Sequence, residues 1–148
     1  MSYWLKSLGT FRDPIPTTGL ASIDWITDEI GFPADPNVRP GDRLVLLASG
    51  SGQIFGVVDV SLAPSLDMEV EPWSYSVPVR ARIVIDDLER APRLETLNAG
   101  TRDVRRSIGQ QSHIRLATEE YDAAVEALQA HADESAGDLV RLSIMGRI

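Results

Sequence analysis

The chain reads as an α+β domain, rich in short strands and closed by one amphipathic helix. Apolar stretches of strand length recur at Arg43–Ala48, Gln53–Val60 and Tyr75–Ile85, each bordered by Gly, Pro or Asp turn signals. Late in the sequence, Tyr121, Ala124, Val125 and Leu128 repeat at i, i+3, i+4 and i+7, which is one apolar stripe on a helix. The length of 148 residues suits a single domain with a real core, and no internal repeat suggests a second.

The elements follow in order. Residues 3–6 read as a first strand, and Asp13-Pro14-Ile15-Pro16 breaks the pattern after it. Ser22 is placed to cap a short helix through Ile23, Ile26 and Ile30, ended by Gly31 and Pro33. Pro40-Gly41-Asp42 is a turn, because proline presets φ and glycine accepts a positive one. It launches the buried strand Arg43–Ala48. Gly50-Ser51-Gly52 then turns the chain into a hairpin partner, Gln53–Val60, inside which Gly56 signals a bulge or a close backbone approach.

In the long strand Tyr75–Ile85, strict alternation puts Tyr75, Val77, Val79, Ala81, Ile83 and Ile85 on one face. Pro78 cannot donate to a ladder, so an edge or bulge is expected there. A short helix is expected near Leu94–Leu97, and Ile114-Arg115-Leu116 reads as a closing strand. Thr118 is placed as the cap of the last helix, with Glu119 and Glu120 where carboxylates complement the macrodipole. Residues 139–144 read as a last strand or a tether.

Charge and composition narrow the function classes. The net charge of -8 argues against a protein that coats nucleic acid through phosphate contacts. The charge is uneven, however: residues 80–115 carry eight arginines against five acidic side chains, while both flanking segments are acidic. This is either a solvated surface or a small anion-friendly site, suited to one nucleotide or a short strand. There is no cysteine, so thiol chemistry, disulfides and thiolate metal sites are excluded. No apolar run approaches the roughly 20 residues that cross a bilayer, and the start of the chain lacks a signal-peptide pattern, so the expected address is cytoplasmic.

Catalytic constellations are not found. His113 and His131 are the only histidines, and no His-Glu-x-x-His spacing occurs. His131 suits a helix C-terminus, while His113, beside Gln110, Gln111 and Ser112, is either structural or ligand-orienting. Gly50, Gly52 and Gly56 depart from the dinucleotide fingerprint, and Asp86-Asp87 and Glu119-Glu120 read as caps and solvated charge. No catalytic residue, metal or cofactor is expected.

What stands out is an order of motifs. Tyr3-Trp4-Leu5-Lys6-Ser7 comes first, then Trp25, then Pro40-Gly41-Asp42 leading a strand. Ile54-Phe55-Gly56-Val57-Val58-Asp59-Val60 and Trp73-Ser74-Tyr75-Ser76-Val77 follow. Arg106-Ser107 precedes Leu116-Ala117-Thr118-Glu119-Glu120-Tyr121. From residue 2 to about 130, this order resembles an EVE domain of the PUA-like superfamily, which also contains YTH and ASCH domains. The resemblance implies a strongly bent mixed β-barrel with flanking helices over residues 1–132, leaving 133–148 as a C-terminal tail or added strand. It also implies a pocket between strands and loops for a modified, methylated nucleobase, in single-stranded or flipped DNA or RNA.

Carried over residue by residue, the resemblance makes Trp73 a cage wall and Trp25 a second aromatic contact. Lys6, Ser49, Ser107 and Arg106 become polar contacts, with Arg105 as the alternative arginine. Tyr75 heads the apolar face of its strand and is either a pocket or a core residue. Trp4, alternating with Lys6, reads as core. The chain departs from the family at Pro33-Ala34-Asp35-Pro36-Asn37-Val38-Arg39, where many members carry an Arg-Asn-Tyr-Gln-Ala-Arg-Asn-like loop. Two other classes stay open, with an enzymatic role third, because some PUA-like relatives hydrolyse amides or process nucleic acid. One is a pocket for a free nucleoside, nucleotide or planar metabolite; the other is an interaction module that docks a protein or a second copy through its tail. No membrane partner is expected.

Overall fold

The computed structural model describes residues 1–9, 15, 29–66, 75–109, 111–134 and 139–140. Among these, eight strands form one mixed, curled sheet in the order β2-β6-β4-β3-β1-β7, with β5 and β8 also on β6. The strands are β1 (Tyr3–Leu8), β2 (Glu29–Phe32), β3 (Arg43–Ala48), β4 (Gln53–Val60), β5 (Ser65–Leu66), β6 (Tyr75–Ile85), β7 (His113–Leu116) and β8 (Leu139–Val140). Two helices, α1 (Val104–Ile108) and α2 (Thr118–Glu134), complete an α+β half-barrel. β1 and β3 are parallel; the other pairs are antiparallel. The curl is visible in a ring contact: Phe32, on β2 at one end of the strand order, packs edge-on against His113 of β7 at the other, with centroids 5.0 Å apart.

Register assigns each strand two faces. On β1, Tyr3, Leu5 and Ser7 stand beside Arg43, Val45 and Leu47 of β3. Tyr3 stacks on Tyr121 of α2 at 4.0 Å and 10°, so this is the helix-facing, convex side. Trp4 and Lys6 point the other way, into the concavity that β2 closes. Core residues fill both sides: Leu5, Val45, Ala124 and Leu128 outside, and Leu44, Leu46, Ile30 and Phe32 inside, all fully buried.

Two bulges shape the curl. Between β3 and β4 the register shifts at Leu46/Leu47, leaving Phe55 unpaired beside Gly56. Between β4 and β6 it shifts at Val57/Val58, leaving Arg82 as the extra residue. The second bulge corrects the alternation read from the sequence. Tyr75, Val77, Val79 and Ala81 do share the concave face, but an inserted residue flips everything after it, so Ile83 stands opposite Val57 on the convex side. Gly56 shows the close approach that its position suggested, since a Cβ there would lie 2.5 Å from the Ile83 carbonyl oxygen.

Two further readings change. Ile30 and Gly31, taken as a helix end, belong to β2, because they pair with Val77 and Ser76 of β6. The helix expected over 22–28 lies outside the described residues. Arg105 and Arg106 lie on α1, which Asp103 caps by accepting from the Arg106 N–H at 3.4 Å. The cap of α2 falls at Ala117, not Thr118. The Ala117 carbonyl accepts from Tyr121 N–H, while the Glu120 carboxylate accepts from Ala117 N–H at 2.7 Å and from Arg102. The segment Leu94–Leu97 is a 3₁₀ turn. Pro78 sits where β4 has just ended, with Ser61 N–H donating to its carbonyl, so its missing donor breaks no ladder.

The Pro40-Gly41 turn, with Gly41 at φ 91°, presents Asp42 to the start of β1. Its buried carboxylate accepts from Ser2 N–H at 2.8 Å, Trp4 Nε1–H at 3.0 Å and Arg39 N–H at 3.0 Å. Asp42→Asn replaces one acceptor with a donor that faces other donors. It should cost about 1–3 kcal/mol, read as a lower urea midpoint with unchanged slope.

Candidate functional site

The concave face holds a polar cluster in apolar surroundings. Lys6 lies between Leu46 of β3 and His113 of β7 and is 1% exposed. Its Nζ donates to Ser112 Oγ at 2.6 Å and lies 4.5 Å from the centroid of the Phe32 ring. Burial lowers its pKa to about 7, because a water-poor site disfavours the ammonium form. Beside it, His113 donates from Nε2 to the Pro36 carbonyl at 2.8 Å, which fixes the neutral tautomer and leaves Nδ1 as an acceptor. Burial holds His113 below the usual histidine range, and the Lys6 charge adds to that. Trp4 tilts against the same imidazole at 5.4 Å. Tyr75 joins this face from β6, directly opposite Phe32 in the ladder. The arrangement can offer an amine, a hydroxyl, an imidazole acceptor and aromatic edges to a planar polar ligand.

The convex side carries two depressions. A cleft of about 380 Å³ lies between α2 and the sheet, lined by Arg43, Arg82, Ile83, Tyr121 and Val125 among others. There Arg43 donates to the Tyr121 hydroxyl at 3.0 Å, and both arginines pair with Asp59. A smaller groove of about 150 Å³ lies at the ends of β1 and β3, lined by Ser7, Ser49, Gly50, Gly52, Arg105 and Gly109 among others.

The residues singled out in the sequence therefore separate. Lys6 and Tyr75 are on the concave face. Ser49 and Arg105 line the convex groove, together with Ser7. Arg106 is exposed on α1, and Ser107, half-buried beside it, uses its carbonyl to accept from Gln111 Nε2. Trp25 and Trp73 lie outside the described residues. Sequence reasoning missed Phe32 and Ser112, which hold the Lys6 amine; a lysine alternating with a partly buried tryptophan was the available signal. Among the described residues, no cluster of three or more His, Asp or Glu could hold a metal, and no helix is long and apolar enough to cross a membrane.

No family model matches this sequence, and no curated protein matches it. Solved structures do resemble the fold. A Rhodopseudomonas palustris protein solved by NMR superposes with a TM-score of 0.55 at 15% identity, covering 88% of this chain and 94% of that one. An Agrobacterium tumefaciens protein gives 0.55 at 18% identity, covering 88% and 93%. The YTH domain of the Zygosaccharomyces rouxii MRB1 protein, solved in complex with N6-methyladenosine RNA, gives 0.52 at 10% identity, covering 84% and 85%. The chain shares its fold with these structures, a YTH domain among them.

Proposed function

We propose that this protein is an EVE-type member of that fold group and reads a modified, methylated nucleobase in single-stranded or flipped nucleic acid, binding it without catalysis. The observation that carries the reading is the Lys6 amine, buried on the concave face beside Phe32, Ser112 and His113. A buried amine with a strongly shifted pKa costs stability, and such groups cluster at functional sites. The fold likeness to a YTH domain in complex with N6-methyladenosine RNA supports the same ligand class. Trp73 and Trp25 are proposed as the stacking walls, with Tyr75 at the rim and Lys6 reading a base edge; Arg106 and Ser107 are proposed as outer polar contacts.

One base stacked on an aromatic ring is worth about 1–3 kcal/mol, and a buried methyl adds roughly 0.8 kcal/mol. Such terms give micromolar binding, near -8 kcal/mol, and modest selectivity for the methylated form. Fluorescence titration of the tryptophans with matched short single strands, methylated and unmethylated, tests this. Trp73→Ala should weaken the methylated strand about tenfold or more with the melting temperature within a few degrees of the parent. Equal affinity for a free nucleoside and a strand would instead make the pocket a metabolite site. Unchanged affinity in Trp73→Ala would remove Trp73 from it.

A further inference from the structure

We propose that the convex groove at the ends of β1 and β3 is a phosphate site, holding the phosphate attached to the base that the concave face reads. This rests on the base-reading proposal and extends it to the rest of the ligand. The groove brings three donors together around glycine backbone. Arg105 donates through Nε and Nη2 to Glu95 at 2.6 and 3.0 Å, and its Nη1 has no hydrogen-bond partner among the described residues. Ser7 and Ser49 line the same groove, and their hydroxyls likewise have no partner among the described residues.

The floor is built for close approach. Gly50, Gly52 and Gly109 all have positive φ, at 92°, 73° and 46°. The guanidinium lies over Gly52, where a Cβ would come within 2.5 Å of Nη2. At about 150 Å³ the groove is smaller than the roughly 300 Å³ at which drug-sized ligand sites begin, so it suits a single phosphoryl group rather than a base.

Charge agrees with this placement. Arg93 also reaches Glu95, at 3.7 Å, so two guanidinium groups share one exposed carboxylate in an otherwise acidic protein. Arg105 holds the Glu95 carboxyl below the usual carboxylate range, so Glu95 is ionised and competes with an incoming phosphate for the same guanidinium. Position agrees as well. Lys6 and Ser7 are consecutive residues on opposite faces of β1, about 3.8 Å apart at Cα. A nucleotide lying over the end of β1, beyond its hydrogen-bonded seams with β3 and β7, would place its base inside and its phosphate outside.

Binding of N6-methyladenosine nucleoside, its monophosphate and a methylated single strand should be compared for the parent, Arg105→Gln and Glu95→Gln. Arg105→Gln should weaken the monophosphate, the strand or both by about tenfold, and leave the nucleoside unchanged. In the strand, the slope of log affinity against log salt should shrink by about 0.7. Glu95→Gln should tighten the same ligand about two- to fivefold by freeing the guanidinium. Loss in the strand identifies a backbone phosphate, and loss in the monophosphate alone identifies a free nucleotide; both support the site. Nucleoside binding intact and Arg105→Gln without effect on either phosphorylated ligand overturns the phosphate site and leaves base reading standing. If no ligand binds the parent, both proposals fall.

Discussion

Lys6→Met should yield a folded protein that is more stable than the parent at pH about 6 by on the order of 3–5 kcal/mol, with the advantage fading toward pH 10. Proton linkage sets this dependence. The unfolded lysine titrates near 10.5 and the folded one at about 7, so between those values the unfolded chain binds more protons. Parent stability therefore rises with pH from about 7 to 10.5, and below 7 the whole cost of burying an ammonium is felt. The full shift corresponds to about 5 kcal/mol. Methionine fills the same space and removes that term, at the expense of leaving Ser112 Oγ without its donor.

The neighbouring groups act in other windows. His113, also lowered, makes stability fall only below the ordinary histidine range. Tyr121 is raised by burial, so stability declines only above pH 10. Urea unfolding of parent and variant across pH 6 to 10 separates these contributions. A parent curve flat from pH 7 to 10 would mean that the amine is not buried in solution.

Gly56→Ala should destabilise by about 3 kcal/mol or more, the largest loss expected from adding a single methyl group. The new Cβ would meet the Ile83 carbonyl oxygen at 2.5 Å and the Val84 Cα at 3.4 Å. Both are backbone atoms of β6, so no rotamer change can relieve the clash; β4 and β6 would have to part beside the Arg82 bulge. Gly50→Ala is the control. It meets nothing within 4 Å but keeps a φ of 92°, so it should cost only about 1–2 kcal/mol. Thermal unfolding of the pair measures the difference between a steric and a conformational penalty. Equal losses would show that the strands can separate at Gly56 without cost.

Much of the fold was legible because local periodicity and tertiary packing agree. Arg43–Ala48, Gln53–Val60, Ile114 to Leu116 and the Tyr121-Ala124-Val125-Leu128 stripe all fold as their patterns indicate. Ile83 was misread because a bulge leaves no local trace: Arg82 is an ordinary strand residue until β4 is laid beside it. Ile30 and Gly31 were misread because their partner, β6, lies more than 40 residues away and overrides a plausible helix stop.

The candidate site was legible only in pieces. The order of motifs pointed to Lys6, Ser49 and Arg105, but these lie on β1, in the turn after β3 and on α1, so only the tertiary arrangement sorts them between concave pocket and convex groove. A lysine in an alternating strand ordinarily signals solvent. Its burial here depends on Phe32 and Ser112, from segments 26 and 106 positions away, which meet it only through the curl of the sheet.

The position of β1 between β3 and β7 has a kinetic consequence. The earliest described strand cannot be flanked on both sides until the ribosome has delivered residues 113–116, so a nascent chain holding β1 through β6 still has an open seam beside Lys6. Pairing at such separation is slow, in the millisecond-to-second range typical of non-local β topologies. Docking of β7 is also the event that takes the amine out of water. At neutral to mildly alkaline pH, closure of the barrel should therefore expel a proton, making the final step of folding a deprotonation as well as a strand addition.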